Sequence, residues 1–170
     1  MEPRDLEAQL EVLHPHGFAW AVRCCRGDQA EAEDVLHLAY VKVLEGRAKF
    51  EGRASFRTWL FGVIRNTALE QYRWSWRQAL KMGSWWREQA DLEPDYDEGM
   101  DAVDRATRLR SALAKLSSRQ AEVLHLVFYQ DLTIEEAGSV LGLSAGTART
   151  HYERGKARLR ALLGTKEAVG

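Results

Sequence analysis

The stretch from Thr133 to Arg160, TIEEAGSVLGLSAGTARTHYERGKARLR, decides the fold. Thr133 is followed three residues later by Glu136, a spacing at which hydroxyl and carboxylate cap each other's backbone amides and open a helix. That helix is short and ends at Leu141. Gly142-Leu143 makes a tight turn, and Ser144 caps a last helix that runs to about Leu163. Ile134, Ala137, Val140 and Leu143 hold the first helix and turn in a core, and Ala148, Tyr152 and Leu159 hold the second. Two helices joined by a short glycine-containing turn form a helix-turn-helix.

This packing leaves Arg149, Thr150, His151, Glu153, Arg154 and Lys156 facing outward. A helix lying in the major groove reads base edges with the residues of its first turns, and arginine bidentate to guanine is the commonest specific contact. Arg158 and Arg160, further along, suit phosphate oxygens instead. A solvated amphipathic helix in a plain bundle would show the same periodicity. The capping boxes, the glycine turn and the basic second helix together favour duplex DNA.

Upstream, Ser117 and Gln120 repeat the capping-box spacing and open a helix through about Tyr129. A helix from about Ala102 to Lys115 presents Val103, Leu109 and Leu113. Residues 83–101 carry Gly83, Pro94, Gly99 and a run of acids with little apolar periodicity, and they read as a linker. Before the linker three helices are expected. The first spans about Leu6 to Arg23, with Leu6, Leu10, Leu13, Phe18, Ala21 and Val22 inward and a disturbance around Pro15 and Gly17. The second, capped by Asp28, runs to about Glu45 with Val35, Leu36, Leu38, Val41, Val43 and Leu44 inward, and Gly46 ends it. After the loop Arg47–Ala54, Ser55 caps a third helix to about Trp76. Phe56, Trp59, Leu60, Val63, Ile64 and Ala68 are its packing stripe, and Arg57, Arg65, Arg73 and Arg77 lie outside it. The expected fold class is all-α: two small helical domains, 1–82 and 102–170, joined by an acidic linker at 83–101.

The 170 residues carry 24 basic and 25 acidic groups, a net charge of −1, which at first argues against nucleic acid. The charges are sorted, however. Residues 1–41 carry a net −5, residues 42–90 +6, residues 91–104 −7 and residues 105–170 +5. Two cationic blocks flank an anionic strap, which is a statement about partners. With 45% hydrophobic and 29% charged residues the chain is not disordered throughout, and no apolar run reaches the ~18 residues of a membrane helix. No signal peptide opens it, so a cytoplasmic location without membrane insertion is expected. His14, His16, Cys24 and Cys25 match no zinc spacing, and reduced, buried thiols are the expectation. No metal, cofactor or catalytic site is expected.

The third helix mixes arginine, tryptophan and asparagine. Asn66 and Glu70 share a face, and Arg73, Trp74, Trp76 and Arg77 follow. Rings interleaved with guanidinium groups suit single-stranded nucleic acid, where bases stack and phosphates pair. Trp59 reads as core, and Trp85-Trp86 as docking the linker.

The order of these pieces resembles a family. Ala32-Glu33-Asp34-Val35, then Phe50 to Gly52, then Ser55-Phe56-Arg57-Thr58-Trp59-Leu60 with Arg65-Asn66, is similar to region 2 of the extracytoplasmic-function sigma factors. Leu116-Ser117-Ser118-Arg119-Gln120 to Val127, then Leu132-Thr133-Ile134-Glu135-Glu136-Ala137 to Leu143-Ser144, then Gly146-Thr147 with Arg149 and Arg154, is similar to their region 4. The resemblance implies a factor that gives promoter recognition to core RNA polymerase. It assigns polymerase binding to Glu33, Asp34 and His37. It assigns the minus-ten element, read as an opened strand with a flipped base, to Arg53, Ser55, Arg65, Asn66, Glu70 and Arg73. The minus-thirty-five duplex falls to Arg149, Thr150, His151, Glu153, Arg154, Lys156 and Arg158. An anti-sigma factor is an implied partner, and the linker acids Asp91, Glu93, Asp95, Asp97, Glu98 and Asp101 are implied mimics of RNA phosphates. The chain departs from the family pattern at His37-Leu38, Gly62 and His151. Two other readings compete: a LuxR-type helix-turn-helix regulator, which the all-helical first block disfavours, and a thiol or metal enzyme, which no acid–base constellation supports.

Overall fold

A computed structural model describes residues 3–82 and 100–164. The described residues are helical, without strands, and the chain divides into two compact units. The expected linker 83–101 and its acids lie almost wholly outside the described residues, as do Trp85 and Trp86.

The first unit contains α1 (Pro3–Cys24), α2 (Gln29–Leu44) and α3 (Phe56–Met82). Asp28 caps α2 by accepting from the Glu31 amide at 3.0 Å. Ser55 caps α3, its hydroxyl accepting from the Thr58 amide at 3.1 Å. α1 runs unbroken through the expected disturbance. Pro15 leaves the Glu11 carbonyl without its intrahelical donor, but both residues lie on the exposed side, where water substitutes. Gly17 is a packing position and not a breaker: a Cβ there would stand 3.3 Å from Ile64 Cδ1 and 3.4 Å from Leu36 Cδ1, so its absence lets the three helices close.

Trp20, which the spacing does not single out, is the largest fully buried side chain of this core. Its indole Nε1 donates to the Phe61 carbonyl at 3.0 Å, and Leu60, Phe61, Ile64, Val35 and Ala39 complete the interior. Each large side chain so buried contributes about 1.5–3 kcal/mol. Leu44 departs from its expected inward position and is 51% exposed at the end of α2. α3 continues six residues past its expected end. Phe50, Phe56 and Trp59 meet ring to ring, with centroids 5.3–5.5 Å apart, and pin the preceding loop to the start of α3.

The second unit contains α4 (Met100–Ala114), α5 (Ser118–Leu124), α6 (Ile134–Leu141) and α7 (Ala145–Gly164). Both capping boxes form, Ser117 with Gln120 and Thr133 with Glu136. α5 continues as expected to Tyr129, but its last turn, His125–Tyr129, is a wider π turn. Leu116, Ala121 and Leu124 form one core cluster, with Leu113, Tyr152 and Leu159 packed against it, and Val123, Leu126, Ala137, Val140 and Ala148 are buried as well. Leu109, expected inward, is 42% exposed, and Ala112 is buried instead.

Candidate nucleic-acid interface

The turn between α6 and α7 is built for close approach. Gly142 adopts φ +66°, the left-handed conformation that suits glycine, and the Leu143 amide reaches the Gly138 carbonyl at 2.8 Å. A Cβ on Gly138 would lie 3.1 Å from the Leu143 carbonyl oxygen and 3.2 Å from Ala148 Cβ, so α6 and α7 cross with almost no gap. At the next contact down α7, Gly155 is buried, where a Cβ would come within 3.1 Å of Leu124 Cδ1. Ser144 caps α7 by accepting from the Thr147 amide at 3.1 Å. Ala148 and Gly155 thus seat α7 on its neighbours and turn the opposite side outward.

That outward side holds Arg149, Thr150, Glu153 and Arg154, all exposed, with His151 and Lys156 half-buried beside them. Arg149 pairs with Glu135 of α6 at 3.1 Å. Thr150 turns its hydroxyl inward and donates to the Gly146 carbonyl at 3.0 Å. Lys156 sits 4.4 Å above the Tyr152 ring and 3.6 Å from Glu153. Arg158 is engaged elsewhere: its Nε donates to the Lys115 carbonyl at 3.1 Å and ties α7 to the end of α4. A cation at the C-terminus of a helix is also favoured by its dipole.

In the first unit, Glu33, Asp34 and His37 stand exposed on one side of α2. Glu33 and His37 line a shallow hollow between α1 and α2, together with His14, Phe18, Leu36 and Tyr40. The Tyr40 hydroxyl lies 3.3 Å from His14 Nδ1, and burial pushes the Tyr40 phenol up to about 12.

The six strand-reading candidates do not share one environment. Asn66 and Arg73 are exposed on α3, and Arg53 is exposed and paired with Glu51 at 2.9 Å. Ser55 is occupied as the cap of α3, with its hydroxyl donating to Thr58 Oγ1 at 2.9 Å. Glu70 pairs with Lys42 of α2, and Lys42 also donates to Thr67 Oγ1 at 3.2 Å. Arg65 corrects the sequence-based placement outside the packing stripe: it is only 8% exposed, within the core of the unit. Its aliphatic stem is long enough to fill core space, which periodicity does not register.

Neither Cys24 nor Cys25 is in a disulfide. Cys25 is buried, and that burial, reinforced by Glu31 and Asp28, pushes its thiol up to about 12. Among the described residues no three histidine, cysteine or acidic side chains converge to hold a metal.

The sigma-70 region 2 profile matches residues 11–78, and the sigma-70 region 4 profile matches residues 112–161. The RNA polymerase sigma factor YlaC of Bacillus subtilis is 30% identical over 132 residues, covering 76% of this chain and 75% of that one. The chain belongs to the extracytoplasmic-function sigma factors. The RNA polymerase sigma factor CarQ of Myxococcus xanthus is 30% identical over 140 residues, 81% of this chain and 78% of its own. Among solved structures, the sigma factor RpoE from Bartonella quintana, in complex with the anti-sigma factor NepR, matches with a TM-score of 0.74. It is 25% identical and covers 95% of this chain and 98% of its own. CnrH, solved with the cytosolic domain of CnrY, gives 0.65, also at 25% identity, over 96% and 90% of the two chains.

The region 2 match removes the regulator reading, because the first unit is part of the family and not an unrelated sensor. As a sigma factor the chain directs promoter-specific initiation by RNA polymerase. Sequence reasoning missed Glu135 and Lys42, whose partners lie 14 and 28 residues away with no local signal. It also missed Tyr72 and Leu80, whose four-residue spacing with Trp76 is legible in the sequence.

Proposed function

We propose that the two units of this sigma factor divide promoter recognition between an opened strand and a duplex. α7 enters the major groove at the minus-thirty-five element, with Arg149, Thr150, His151, Glu153, Arg154 and Lys156 on its outward side. The observation that carries this reading is the seating of α7. Ala148 and Gly155 clamp one side, and Arg149 and Arg154 are left exposed on the other. Arg158, tied to Lys115, serves the fold first and reaches phosphate only if that bond opens.

The first unit takes the minus-ten element through Arg53, Asn66 and Arg73. Glu70 and Ser55 act from fixed positions, Glu70 on Lys42 and Ser55 on the start of α3. Arg65 supports this surface from beneath. Glu33, Asp34 and His37 face core polymerase around the α1–α2 hollow. The domains are 1–82 and 102–170, with the acidic linker 83–101 between them as a mimic of RNA phosphates. RpoE and CnrH are held by the proteins named with them, and an anti-sigma factor holds this chain in the same way. The protein acts in the cytoplasm without catalysing a reaction of its own.

In vitro transcription with core polymerase on a promoter library tests the proposal. Starts that require both elements and vanish without the protein are the expected result. Absence of any start dependent on the protein overturns it.

A further inference from the structure

α2 and α3 carry opposite charge, and each helix holds a single exception. Within Gln29–Leu44 the acids are Glu31, Glu33 and Asp34, and Lys42 is the one lysine or arginine. Within Phe56–Met82 the cations are Arg57, Arg65, Arg73, Arg77 and Lys81, and Glu70 is the one acid. The two exceptions meet: Lys42 Nζ pairs with Glu70 Oε2 across 28 positions of sequence.

Lys42 is held on a second side. Its ammonium also donates to Thr67 Oγ1 at 3.2 Å, and that hydroxyl donates in turn to the Val63 carbonyl at 2.9 Å. Thr67 is 1% exposed, so the ammonium is anchored against the body of α3 and reaches Glu70 from a fixed point. The lysine side chain is 22% exposed and the glutamate 60%, which puts Glu70 at the outer end of the pair. Asn66, Glu70 and Arg73, spaced four and three apart, lie on one face of α3, and all three are exposed.

A phosphate that follows Asn66 and Arg73 therefore passes a carboxylate, and a carboxylate left alone repels it. An ion pair this exposed contributes little to folding, so stability does not account for a lone acid among five cations. We infer that Lys42 is a positioning residue for strand reading: it neutralises Glu70 and fixes it beside Asn66 without touching DNA itself. The face then offers a hydrogen-bond acceptor at no net charge. The inference rests on the strand-reading role proposed for the first unit. A pair that only packed α2 on α3 would lose strand binding whichever member were changed. A neutralising pair responds with opposite signs.

Fluorescence anisotropy on the full chain tests this, with a labelled 15-nucleotide oligothymidylate as probe. Lys42→Gln leaves the carboxylate uncompensated and is expected to weaken binding between about threefold and about tenfold at low salt. Glu70→Gln frees the ammonium and is expected to tighten binding by a similar factor. The double variant is neutral at both positions and should return to within about twofold of the parent chain. Lys42→Arg, which keeps the charge, should do the same. The spread should narrow as salt rises, since the Debye length falls from about 10 Å at 0.1 M to about 3 Å at 1 M. Thermal unfolding run alongside records whether each variant is folded. Should Lys42→Gln fail to fold, the sign of the Glu70→Gln effect decides the matter alone. Weaker binding by Glu70→Gln, or variants that all bind alike, overturns the inference. So does a double variant as weak as Lys42→Gln, or a parent chain with no measurable strand binding. Failure of the sigma role shows separately, as absence of protein-dependent transcription while the ordering of the variants persists.

Discussion

Arg149 Nη2 lies 3.1 Å from Glu135 Oε1, so the first arginine of α7 is held by the helix before the turn. Both side chains are 59% exposed, and a pair of that kind contributes about 0–1 kcal/mol to folding. Its consequence falls on DNA. Arg149→Ala is expected to weaken use of the minus-thirty-five element by about 1–3 kcal/mol, the worth of one bidentate base contact. Glu135→Ala is expected to leave the thermal midpoint nearly unchanged and to tighten promoter-duplex binding at low salt, because it frees the guanidinium and removes a carboxylate facing phosphates. Gel-shift titrations of both variants at two salt concentrations measure this. Duplex binding unaltered by Arg149→Ala would take Arg149 out of the reading set.

Trp20 anchors the first unit through its ring and its indole N–H at once. Its side chain is fully buried, packs 6.4 Å from the Phe61 ring and donates to the Phe61 carbonyl. Trp20→Ala is expected to destabilise this unit by about 3–5 kcal/mol, the range for deleting a buried aromatic. Trp20→Phe loses the hydrogen bond and part of the ring, for about 1–3 kcal/mol. Urea unfolding followed by circular dichroism measures both, and equal midpoints for Trp20→Phe and Trp20→Ala would contradict the role of ring volume.

The residues legible in the sequence are those whose structure is decided within four positions. Asp28, Ser55, Ser117 and Thr133 cap the helices they were expected to cap, since a cap needs only its own hydroxyl or carboxylate and the amide three residues on. Burial set by distant partners is not legible in that way. Trp20 is fixed by Phe61, 41 residues away, and Arg65 is drawn into a core its charge argues against. Gly17 carries the composition of a helix breaker, and only the approach of Ile64 and Leu36 makes it a packing residue. On the outward side of α7 the sequence marks Arg149 and Arg154 correctly as exposed. It gives no sign that Arg158 is spent on the Lys115 carbonyl, because that partner lies 43 residues away.

Two glycines in helix interiors make opposite predictions. Around Gly62 of α3 nothing lies within 4 Å of an added Cβ, so Gly62→Ala should stabilise the first unit by about 0.5–1 kcal/mol through helix propensity alone. At Gly155 an added Cβ meets Leu124 Cδ1 at 3.1 Å and Gln120 Cβ at 3.3 Å. There Gly155→Val should cost about 1–3 kcal/mol by overpacking and push α7 off α5. Thermal unfolding of the two variants gives the sign directly. A stabilised Gly155→Val would mean that α5 and α7 are not held as closely as described.

Cys25 makes the stability of the first unit sensitive to alkali. Burial first, then Glu31 and Asp28, raises its thiol from 9.0 to about 12. Below about pH 9 the thiol is protonated in both folded and unfolded chains, and its contribution is fully present. Above that, the unfolded chain releases a proton that the folded chain keeps. Stability should therefore fall by up to about 1.4 kcal/mol per pH unit as the pH rises toward 12. Tyr40, raised from 10.0 to about 12 by burial, adds to the fall above about pH 10. Cys25→Ala should be somewhat less stable at neutral pH yet nearly flat between pH 8.5 and about 10, where the parent chain declines. Urea midpoints measured across that interval decide the point, and parallel profiles for the two proteins would show that Cys25 is not the titrating group. Alkylation offers a second reading of the same burial. Half-buried Cys24 should react with iodoacetamide well before Cys25, and Cys25 only at the rate of unfolding.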